Sequence, residues 1–260
     1  MKKRRRSKKI RGLLAVVTML IPVFVPVKES NACTRAVYLG QGETVITARS
    51  MDWAEDMETN LWIFPRGTKR DGAAGPDTPT RTSRYGSVVA SGYEIGTADG
   101  PNQASLAPKL HYLSQSDSGT PGDTPTFSIS ARTQYVLDNF ATVDEAVTAL
   151  REEPFRLIAP RFPNGKAAQL HLAVSDASGD SAIFEYLDGK LVIHHGRQYQ
   201  VMTNSPSYDR QLALNEYWEE IGGLVFLPGT NRAADRFARA SFLINAIPKE
   251  IDENYIRAVP

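Results

Sequence analysis

Alternation of apolar and polar residues dominates the chain just after residue 33. One alternating run covers residues 34–39, a Gly40-Gln41-Gly42 break follows, and a second run covers residues 44–49. Two such runs on either side of a glycine-rich turn predict a β-hairpin. Position 33 opens this hairpin, and Arg49 and Asp52 lie at the end of the returning strand. The pattern therefore brings these three positions to one end of a sheet.

Later segments alternate between strand and helix patterns. Strands are predicted over residues 60–64, 85–93, 106–113, 170–175, 181–186 and 190–195, and near 201–202, with Pro108 weakening the third. Helices are predicted over 128–150, divided at 139–142, and over 208–221 and 233–246. Thr142, followed three residues later by Glu145, predicts a capping box. Loops rich in glycine and proline cover 68–83 and 114–126. Strands, helices, strands and helices in this order predict a layered α+β fold.

Residues 1–32 have the layout of a secretory signal peptide. Lysine or arginine occupies eight of the first eleven positions, an apolar run covers 10–27, and small residues stand at Ser30 and Ala32. The net charge of the whole chain is only +1, so the rest of the chain is acidic. A basic cluster can also bind nucleic acid, but the apolar run behind it favours a leader. We predict cleavage after Ala32, an exported protein that is periplasmic or secreted, no stable membrane anchor and no nucleic-acid partner.

Cys33 is the only cysteine and the first residue after the predicted cleavage point. It excludes a disulfide framework within the chain. A thiol and a free α-amine on one residue form a nucleophile with its own base, because the amine titrates near pH 8. The chain is therefore predicted to be a hydrolase. A buried inert cysteine and a lipidated cysteine remain alternatives, although Ser30 stands where lipoprotein signals usually carry an aliphatic residue.

Short motifs follow in a fixed order, and together they carry a family resemblance. They are Cys33-Thr34, Arg49-Ser50-Met51-Asp52, Asp99-Gly100, Thr203-Asn204-Ser205-Pro206 and Leu227-Pro228-Gly229, followed by Arg236-Phe237. With this set the chain from residue 33 resembles the choloylglycine hydrolase family of N-terminal-nucleophile amidases. That family includes bile salt hydrolases, penicillin V acylases and some acyl-homoserine lactone acylases. The resemblance implies a four-layer αββα fold for one domain, residues 33–260.

The resemblance also assigns roles to six residues. Cys33 is implied as the nucleophile, Arg49 as the cation beside its sulfur, and Asp52 as the acceptor that holds its amine. Asn204 and Tyr112 are implied as the two oxyanion contacts, and Arg236 as a second active-site arginine. On sequence alone, a surface ion pair is the better interpretation of Arg49 with Asp52. Asn204 can also be a turn residue, Tyr112 a core aromatic and Arg236 a solvated helix residue.

The implied substrate is a small linear amide with an apolar acyl group. Tyr112, where bile salt hydrolases commonly have asparagine, favours a penicillin V or acyl-homoserine lactone acylase over a bile salt hydrolase. The resemblance requires no cofactor, and His111, His171, His194 and His195 lack metal-ligand spacing, so no metal is expected. The rival from another class is an exported lipoprotein or an inactive binding remnant, and a homo-oligomer stays open. Family members normally continue with further strands, so a fold without its C-terminal strands, as in a fragment or split gene, is expected.

Overall fold

The computed structural model describes residues 32–222 and 226–249, and the predicted signal peptide lies outside this part except for Ala32. The strands are β1 Ala32–Leu39, β2 Val45–Asp52, β3 Leu61–Phe64, β4 Lys69–Arg70, β5 Arg81–Thr82, β6 Ser87–Gly92, β7 Gly96–Asp99, β8 Ala107–Tyr112, β9 Thr126–Ser128, β10 Arg156–Ile158, β11 Leu170–Ser175, β12 Ser181–Leu187, β13 Lys190–His195 and β14 Val201–Met202. The helices are α1 Arg132–Asn139, α2 Val143–Arg151, α3 Tyr208–Ile221 and α4 Ala233–Ala246, with a 3₁₀ turn at Ile129–Ala131. Within the described residues, no helix is long and apolar enough to cross a membrane.

Two antiparallel sheets form the centre of the molecule. The smaller has the strand order β14-β1-β2, and the larger has the order β13-β12-β11-β8-β7-β6-β3. In the predicted hairpin, β1 pairs with β2 so that Cys33 lies opposite Met51 and Arg35 lies opposite Arg49. Because directly opposed residues point to the same face of a sheet, these four side chains share one face.

One apolar cluster lies on the outer face of the larger sheet, and the other lies under α3 and α4 and extends between the sheets to Ala173 and Ile183. One packs α1 and α2 on the larger sheet through residues such as Val136, Val147, Leu172 and Phe184. The other packs Phe237 and Ile244 of α4, together with Tyr208 of α3, against Tyr38 of β1 and the strand β14. The layers therefore run helix, sheet, sheet, helix, which confirms the expected αββα arrangement. Burial of apolar surface in the two outer interfaces holds the layers together.

The layer between the two sheets is unusually polar. Arg35, His111, His171 and Glu185 are all buried there, each at most 1% exposed. Arg35 donates hydrogen bonds to the carbonyl oxygens of Tyr199 and Val174 and to Ser181 Oγ. Burial lowers the pKa of Arg35 to about 10, and nearby Tyr208 and Asp99 oppose this change. Buried polar groups of this kind need partners, and their hydrogen bonds fix how the sheets face each other.

Several elements differ from the sequence prediction. The strands β7, β9 and β10 were not expected, and the predicted loop 68–83 contains the short β4–β5 ladder. The strand containing Pro108 was expected to be weak, yet β8 lies between β11 and β7. By the register Asp99↔Lys109, Pro108 falls opposite Gly100, just beyond the end of β7. Its missing N–H therefore costs the sheet no hydrogen bond.

The helix boundaries follow the predicted signals closely. The division at 139–142 is confirmed, and Thr142 Oγ1 accepts a hydrogen bond from Glu145 N. The Glu145 carboxylate, however, accepts from Ala141 N and not from Thr142 N. The cap is thus half a capping box, with the glutamate bonding one residue earlier than the usual pattern.

Candidate active site

Cys33 lies at the start of β1, where the smaller sheet faces the larger one. Its side chain is only 4% exposed, and Arg49 Nη2 lies 3.7 Å from Cys33 Sγ. The hairpin register brings the two residues together, since Met51 opposite Cys33 and Arg49 are on the same face of β2. The guanidinium therefore places a positive charge beside the sulfur. The position of Arg49 agrees with the role that the resemblance implies.

Arg49 is held by groups on β7 and β8. Nη1 donates to the Ala98 carbonyl at 2.9 Å and Nη2 donates to the Leu110 carbonyl at 2.7 Å. Asp99 lies 3.9 Å from Nη1 and also pairs with Lys109. Burial lowers the pKa of Lys109, and the charge and hydrogen bond of Asp99 oppose this change. Asp99 thus supports the cation beside the thiol, a role that its place in the Asp-Gly motif did not reveal.

Asn204 follows β14 and joins several parts of the site. Its Oδ1 accepts from Cys33 N at 2.7 Å and from Arg236 Nη2 at 3.0 Å. Its Nδ2 donates to the carbonyl oxygen of Tyr112 at 3.1 Å. One amide side chain therefore touches the nucleophile residue, an arginine from α4 and the end of β8.

Arg236 reaches the same point from α4. Its Nη1 donates to the Cys33 carbonyl at 2.6 Å and to Thr34 Oγ1 at 2.7 Å. Burial lowers the pKa of Arg236, while the nearby Cys33 and Asp52 oppose this change. Arg236 is therefore a site residue in this structure and not a solvated helix residue, and Thr34 is a partner that the sequence reasoning did not single out.

Tyr112 contributes its main chain to the site. Leu113 N–H donates to the Gln169 carbonyl, and Tyr112 pairs with Leu170 at the next position of the same register. Because hydrogen-bonded and non-hydrogen-bonded pairs alternate along antiparallel strands, the Tyr112 N–H points away from β11. It points toward the side where Leu110 and Tyr112 offer their carbonyl oxygens to Arg49 and Asn204. The phenol donates to Gln169 Oε1 at 3.3 Å.

Asp52 is the predicted site residue that does not take its expected contact. The resemblance assigns it the hydrogen bond from the Cys33 nitrogen, but Asn204 Oδ1 takes that hydrogen bond here. Asp52 is exposed and lies opposite Ala32 in the hairpin register. In this chain the Cys33 nitrogen is a peptide N–H joined to Ala32 and not an amine. The role of Asp52 at a free amine stays a prediction.

A buried network holds the segment that carries Asn204. His111 Nδ1 and His171 Nε2 lie 3.2 and 2.9 Å from the Thr203 carbonyl oxygen. His171 Nδ1 lies 2.8 Å from Glu185 Oε1, and Tyr208 N donates to both carboxylate oxygens of Glu185. Because a carbonyl oxygen only accepts, His111 donates from Nδ1 and His171 donates from Nε2. The hydrogen bond between His171 Nδ1 and Glu185 Oε1 requires one further proton, carried by one of these two groups.

Gln211 of α3 completes this support. Its Nε2 donates to the carbonyl oxygens of Asn204 and Pro206 at 2.6 and 2.7 Å. Its Oε1 accepts from Thr203 Oγ1 at 2.9 Å. Gln211 is fully buried, so these hydrogen bonds act without competition from water. The backbone around Asn204 is therefore fixed from both sides.

A cavity of about 80 Å³ opens beside Cys33 and Arg49. Its other walls are largely apolar: Met51, Trp53, Met57, Tyr93, Leu110, Tyr112, Phe162 and Leu170. Trp53 makes edge contacts with both Tyr112 and Phe162. An apolar group seated here lies next to the sulfur. The described residues contain no cluster of histidine, cysteine, aspartate and glutamate suited to a metal ion.

A much larger open groove of about 1030 Å³ lies nearby, between β3, β6, the β4–β5 ladder and α1. It shares Ile95, Gly96, Thr97 and Ser130 with the cavity, but none of the six predicted site residues lines it. We assign the chemistry to the smaller cavity because only that cavity is lined by Cys33.

Comparison with known proteins shows which family the chain belongs to. A family model described as linear amide C-N hydrolases, choloylglycine hydrolase family, matches residues 33–256. The chain belongs to the choloylglycine hydrolase family. The family assignment confirms the resemblance and the expectation of an enzyme that acts on the carbon-nitrogen bond of linear amides.

Individual relatives fall in two groups of this family. Penicillin V acylase of Pectobacterium atrosepticum is 50% identical over 254 residues, covering 94% of this chain and 67% of the relative. Bile salt hydrolase/transferase of Clostridium perfringens is 32% identical over 136 residues, covering 44% of this chain and 41% of the relative. The chain thus spans about two thirds of the length of the acylase.

Solved structures give the same picture of the fold. Penicillin V acylase from Agrobacterium tumefaciens superposes with a TM-score of 0.80 at 58% identity, over 87% of this chain and 69% of that chain. A mutant of conjugated bile acid hydrolase from Clostridium perfringens superposes with a TM-score of 0.71 at 24% identity, over 86% of this chain and 77% of that chain. The second match supports the fold alone.

Proposed function

We propose that this chain is an exported acylase of the penicillin V type that uses Cys33 as an N-terminal nucleophile. The observation that carries the proposal is the contact set of Cys33. Its sulfur lies against Arg49, its nitrogen against Asn204 and its carbonyl against Arg236. Removal of the leader after Ala32 converts the Cys33 nitrogen into an amine without disturbing the other contacts.

The proposed reaction begins with proton transfer from the Cys33 thiol to its own α-amine. Before this transfer the neutral amine donates to Asn204 Oδ1, and its lone pair remains available to accept the thiol proton. The thiolate attacks the amide carbonyl carbon, and the carbonyl π electrons move onto oxygen. Asn204 Nδ2, through its second hydrogen, and the Tyr112 N–H are the donors available to that oxyanion.

The protonated amine then gives its proton to the leaving nitrogen, and the carbon-nitrogen bond breaks. A thioester between Cys33 and the acyl group remains. Water attacks this thioester, with the amine acting as base, and releases the carboxylic acid and the free thiol. Arg49 favours the thiolate in the first step and in the last.

The cavity supports a compact or slender apolar acyl group as the proposed substrate portion. Its volume of about 80 Å³ lies far below the range of about 300 to 1,000 Å³ typical of pockets for drug-sized ligands. The aromatic walls formed by Trp53, Tyr112 and Phe162 suit an aryl ring, which prefers edge and offset contacts. A steroid nucleus finds less room, so a phenoxyacetyl amide is the favoured substrate, followed by a fatty acyl amide.

The test has two parts, one on removal of the leader and one on substrate preference. The full chain, leader included, is produced in a Gram-negative host, and the intact mass of the exported protein is measured. A mass that begins at an unmodified Cys33 supports the proposal, whereas diacylglycerol on Cys33 would favour the lipoprotein. Penicillin V, a long-chain acyl-homoserine lactone and glycocholate are then compared side by side. Faster cleavage of glycocholate would move the protein to the bile salt group.

A matched pair of variants tests the mechanism itself. Cys33→Ser is expected to lose nearly all amidase activity, and a form that retains Ala32 before Cys33 is expected to do the same. Thr148→Ala, at an exposed position of α2, serves as the control. Wild-type turnover by the form that retains Ala32 would contradict the role of the α-amine.

A further inference from the structure

Gln211 is a buried side chain of α3 that the proposed reaction does not use directly. Its Nε2 donates to the carbonyl oxygens of Asn204 and Pro206. Its Oε1 accepts from Thr203 N at 3.3 Å and from Thr203 Oγ1 at 2.9 Å. The carboxamide thus spans residues 203–206, with the backbone of Asn204 in the middle of the segment that it holds.

The carboxamide of Gln211 fits this segment in one orientation only. Carbonyl oxygens only accept hydrogen bonds, so the two that face Gln211 require its NH₂ group. The Thr203 N–H only donates, so it requires the oxygen end. A carboxylate of the same shape would place an oxygen against two carbonyl oxygens and could not bond them. The hydrogen-bonding pattern of this side chain, and not only its size, therefore fixes the segment.

The helix α3 places Gln211 where its side chain reaches this segment. Side chains of an α-helix lean toward its N-terminus, and Gln211 lies about one turn into α3. Tyr208, the first residue of the helix, is buried, with its N–H on Glu185 and its hydroxyl on the Val201 carbonyl. Gln211 therefore acts from a helix that is itself anchored to β12 and β14.

Asn204 depends on the position of its own backbone because its side chain is already engaged. Its Oδ1 accepts from Cys33 N and from Arg236 Nη2, and one Nδ2 hydrogen goes to the Tyr112 carbonyl. The second Nδ2 hydrogen is the one available to an oxyanion. Oxyanion donors act at about 2.7 to 3.1 Å from the oxygen, and a misplacement of about 1 Å can lower the rate about 10²-fold. A small shift of residues 203–206 would therefore reduce catalysis.

We propose that Gln211 is the positioning residue of the oxyanion site, because its carboxamide sets where the Asn204 backbone lies and so where the free Nδ2 hydrogen points. The proposal rests on the proposed function, since it requires an oxyanion beside Cys33. It does not depend on which acyl amide is the substrate. The hydrogen bonds of the Gln211 side chain do not involve Ala32 or Cys33, so removal of the leader leaves them in place.

Two reactions of the same thiol test the proposal. With p-nitrophenyl acetate, the Cys33 thiolate attacks the ester carbonyl carbon, an oxyanion forms and collapses, p-nitrophenolate leaves and a thioester remains. With iodoacetamide, the thiolate displaces iodide and no oxyanion forms. Gln211→Glu is expected to slow acylation about ten- to a hundredfold. Alkylation should stay within about twofold of the wild type, because it depends on the thiolate and its neighbour Arg49. The ratio of the two rates cancels any change in the thiol itself.

Asn102→Asp is the matched control, because Asn102 holds its own surroundings in the same way. It is buried, and its hydrogen bonds lie in a segment that does not bond Asn204. Its Nδ2 donates to the carbonyl oxygens of Leu137 and Phe140, and its Oδ1 accepts from Ala104 N and Leu106 N. This substitution makes the same change from amide to carboxyl, so it is expected to lower the unfolding temperature but to keep the wild-type ratio of rates. An equal fall of the ratio in both variants would show a general loss of structure and overturn the proposal.

Thr203→Val provides a milder test if Gln211→Glu does not fold. It removes the hydroxyl that bonds Gln211 Oε1, and it is expected to slow acylation about two- to tenfold with alkylation unchanged. A wild-type ratio in the folded variants overturns the role of Gln211 and leaves the proposed function intact. If the ratio in the folded wild-type chain equals that in the chain unfolded in urea, no oxyanion site operates, and both proposals are overturned.

Discussion

Arg49 Nη2 lies 3.7 Å from Cys33 Sγ, and the Arg49 side chain is only 4% exposed. At about 4 Å, two unit charges interact by about 1 kcal/mol in water and about 4 kcal/mol near a protein surface. Arg49→Gln is therefore expected to slow alkylation of Cys33 by iodoacetamide at neutral pH, by about five- to a thousandfold. The fold should survive, because glutamine can still donate to the Leu110 or Ala98 carbonyl.

The control for this prediction is Arg84→Gln. Arg84 also donates to a main-chain carbonyl, that of Asn139, but it is exposed and makes no hydrogen bond to Cys33. Cys33 of the Arg84→Gln variant is expected to be alkylated at the wild-type rate. If Arg49→Gln reacted as fast as Arg84→Gln, the cation beside the sulfur would have no effect on the thiol.

Asn204→Ala removes a side chain that contacts Cys33, Arg236 and Tyr112 together. Loss of one oxyanion donor lowers kcat by about 10²- to 10³-fold in a comparable hydrolase. We expect a fall of that size in kcat with penicillin V and a much smaller change in KM. Asn215→Ala, at a half-buried position of α3 where the amide donates to Glu219, is the matched control. An increase in KM at unchanged kcat would assign Asn204 to substrate binding instead.

Glu185→Ala and Glu185→Gln distinguish charge from hydrogen bonding in the buried network. Removal of one partner of a buried ion pair costs about 3 to 5 kcal/mol, so Glu185→Ala is expected to lower the unfolding temperature strongly. Glutamine can still accept from Tyr208 N and donate to His171 Nδ1, so Glu185→Gln is expected to retain most of the stability. Chemical denaturation measures both variants.

The same pair of variants tests whether the network positions Asn204. If His171 fixes the Thr203 carbonyl for that purpose, Glu185→Gln should change kcat more than KM at a temperature where the variant is folded. A kcat equal to that of the wild type, with only stability reduced, would limit the network to a structural role.

His111 predicts how stability depends on pH. Burial, followed by the charges of Arg49 and His171, holds the pKa of His111 well below its ordinary value of 6.5. The unfolded chain then binds a proton that the folded chain does not, so stability falls as the pH drops below about 6.5, by up to about 1.4 kcal/mol per pH unit. His111→Gln is expected to flatten this slope between pH 6.5 and 5, measured by urea unfolding. An unchanged slope would show that His111 does not cause it.

The hairpin, the meander and the four helices were predictable because their apolar residues recur at strand or helix spacing. The strand β7 was missed because Gly96–Asp99 is short and has a single apolar residue, and its place in the sheet comes from neighbours far along the chain. Long-range pairing of this kind leaves no local signal. The arrangement of the layers came from the family resemblance and not from periodicity.

The site was predictable to a different degree. The hairpin register predicted that Cys33 and Arg49 lie close together. The buried network was not predicted, because its members His171 and Glu185 are polar residues that alternate with apolar neighbours along their strands. Alternating polar positions usually indicate a solvated face, whereas here the second sheet covers that face. The Asp52 contact was expected at a free amine, and the uncleaved chain gives the Cys33 N–H to Asn204 instead.

The hydrogen bond from Cys33 to Asn204 spans 171 positions of sequence, and those from Arg236 to Cys33 and Thr34 span 203 and 202. During synthesis the thiol emerges long before α4, so the nucleophile exists for most of translation without the groups that would make it useful. Contacts of such high separation form late and slowly in folding. Assembly thus sets the order of events: the chain must finish folding before Cys33 has the contacts with Asn204 and Arg236 that form the candidate site.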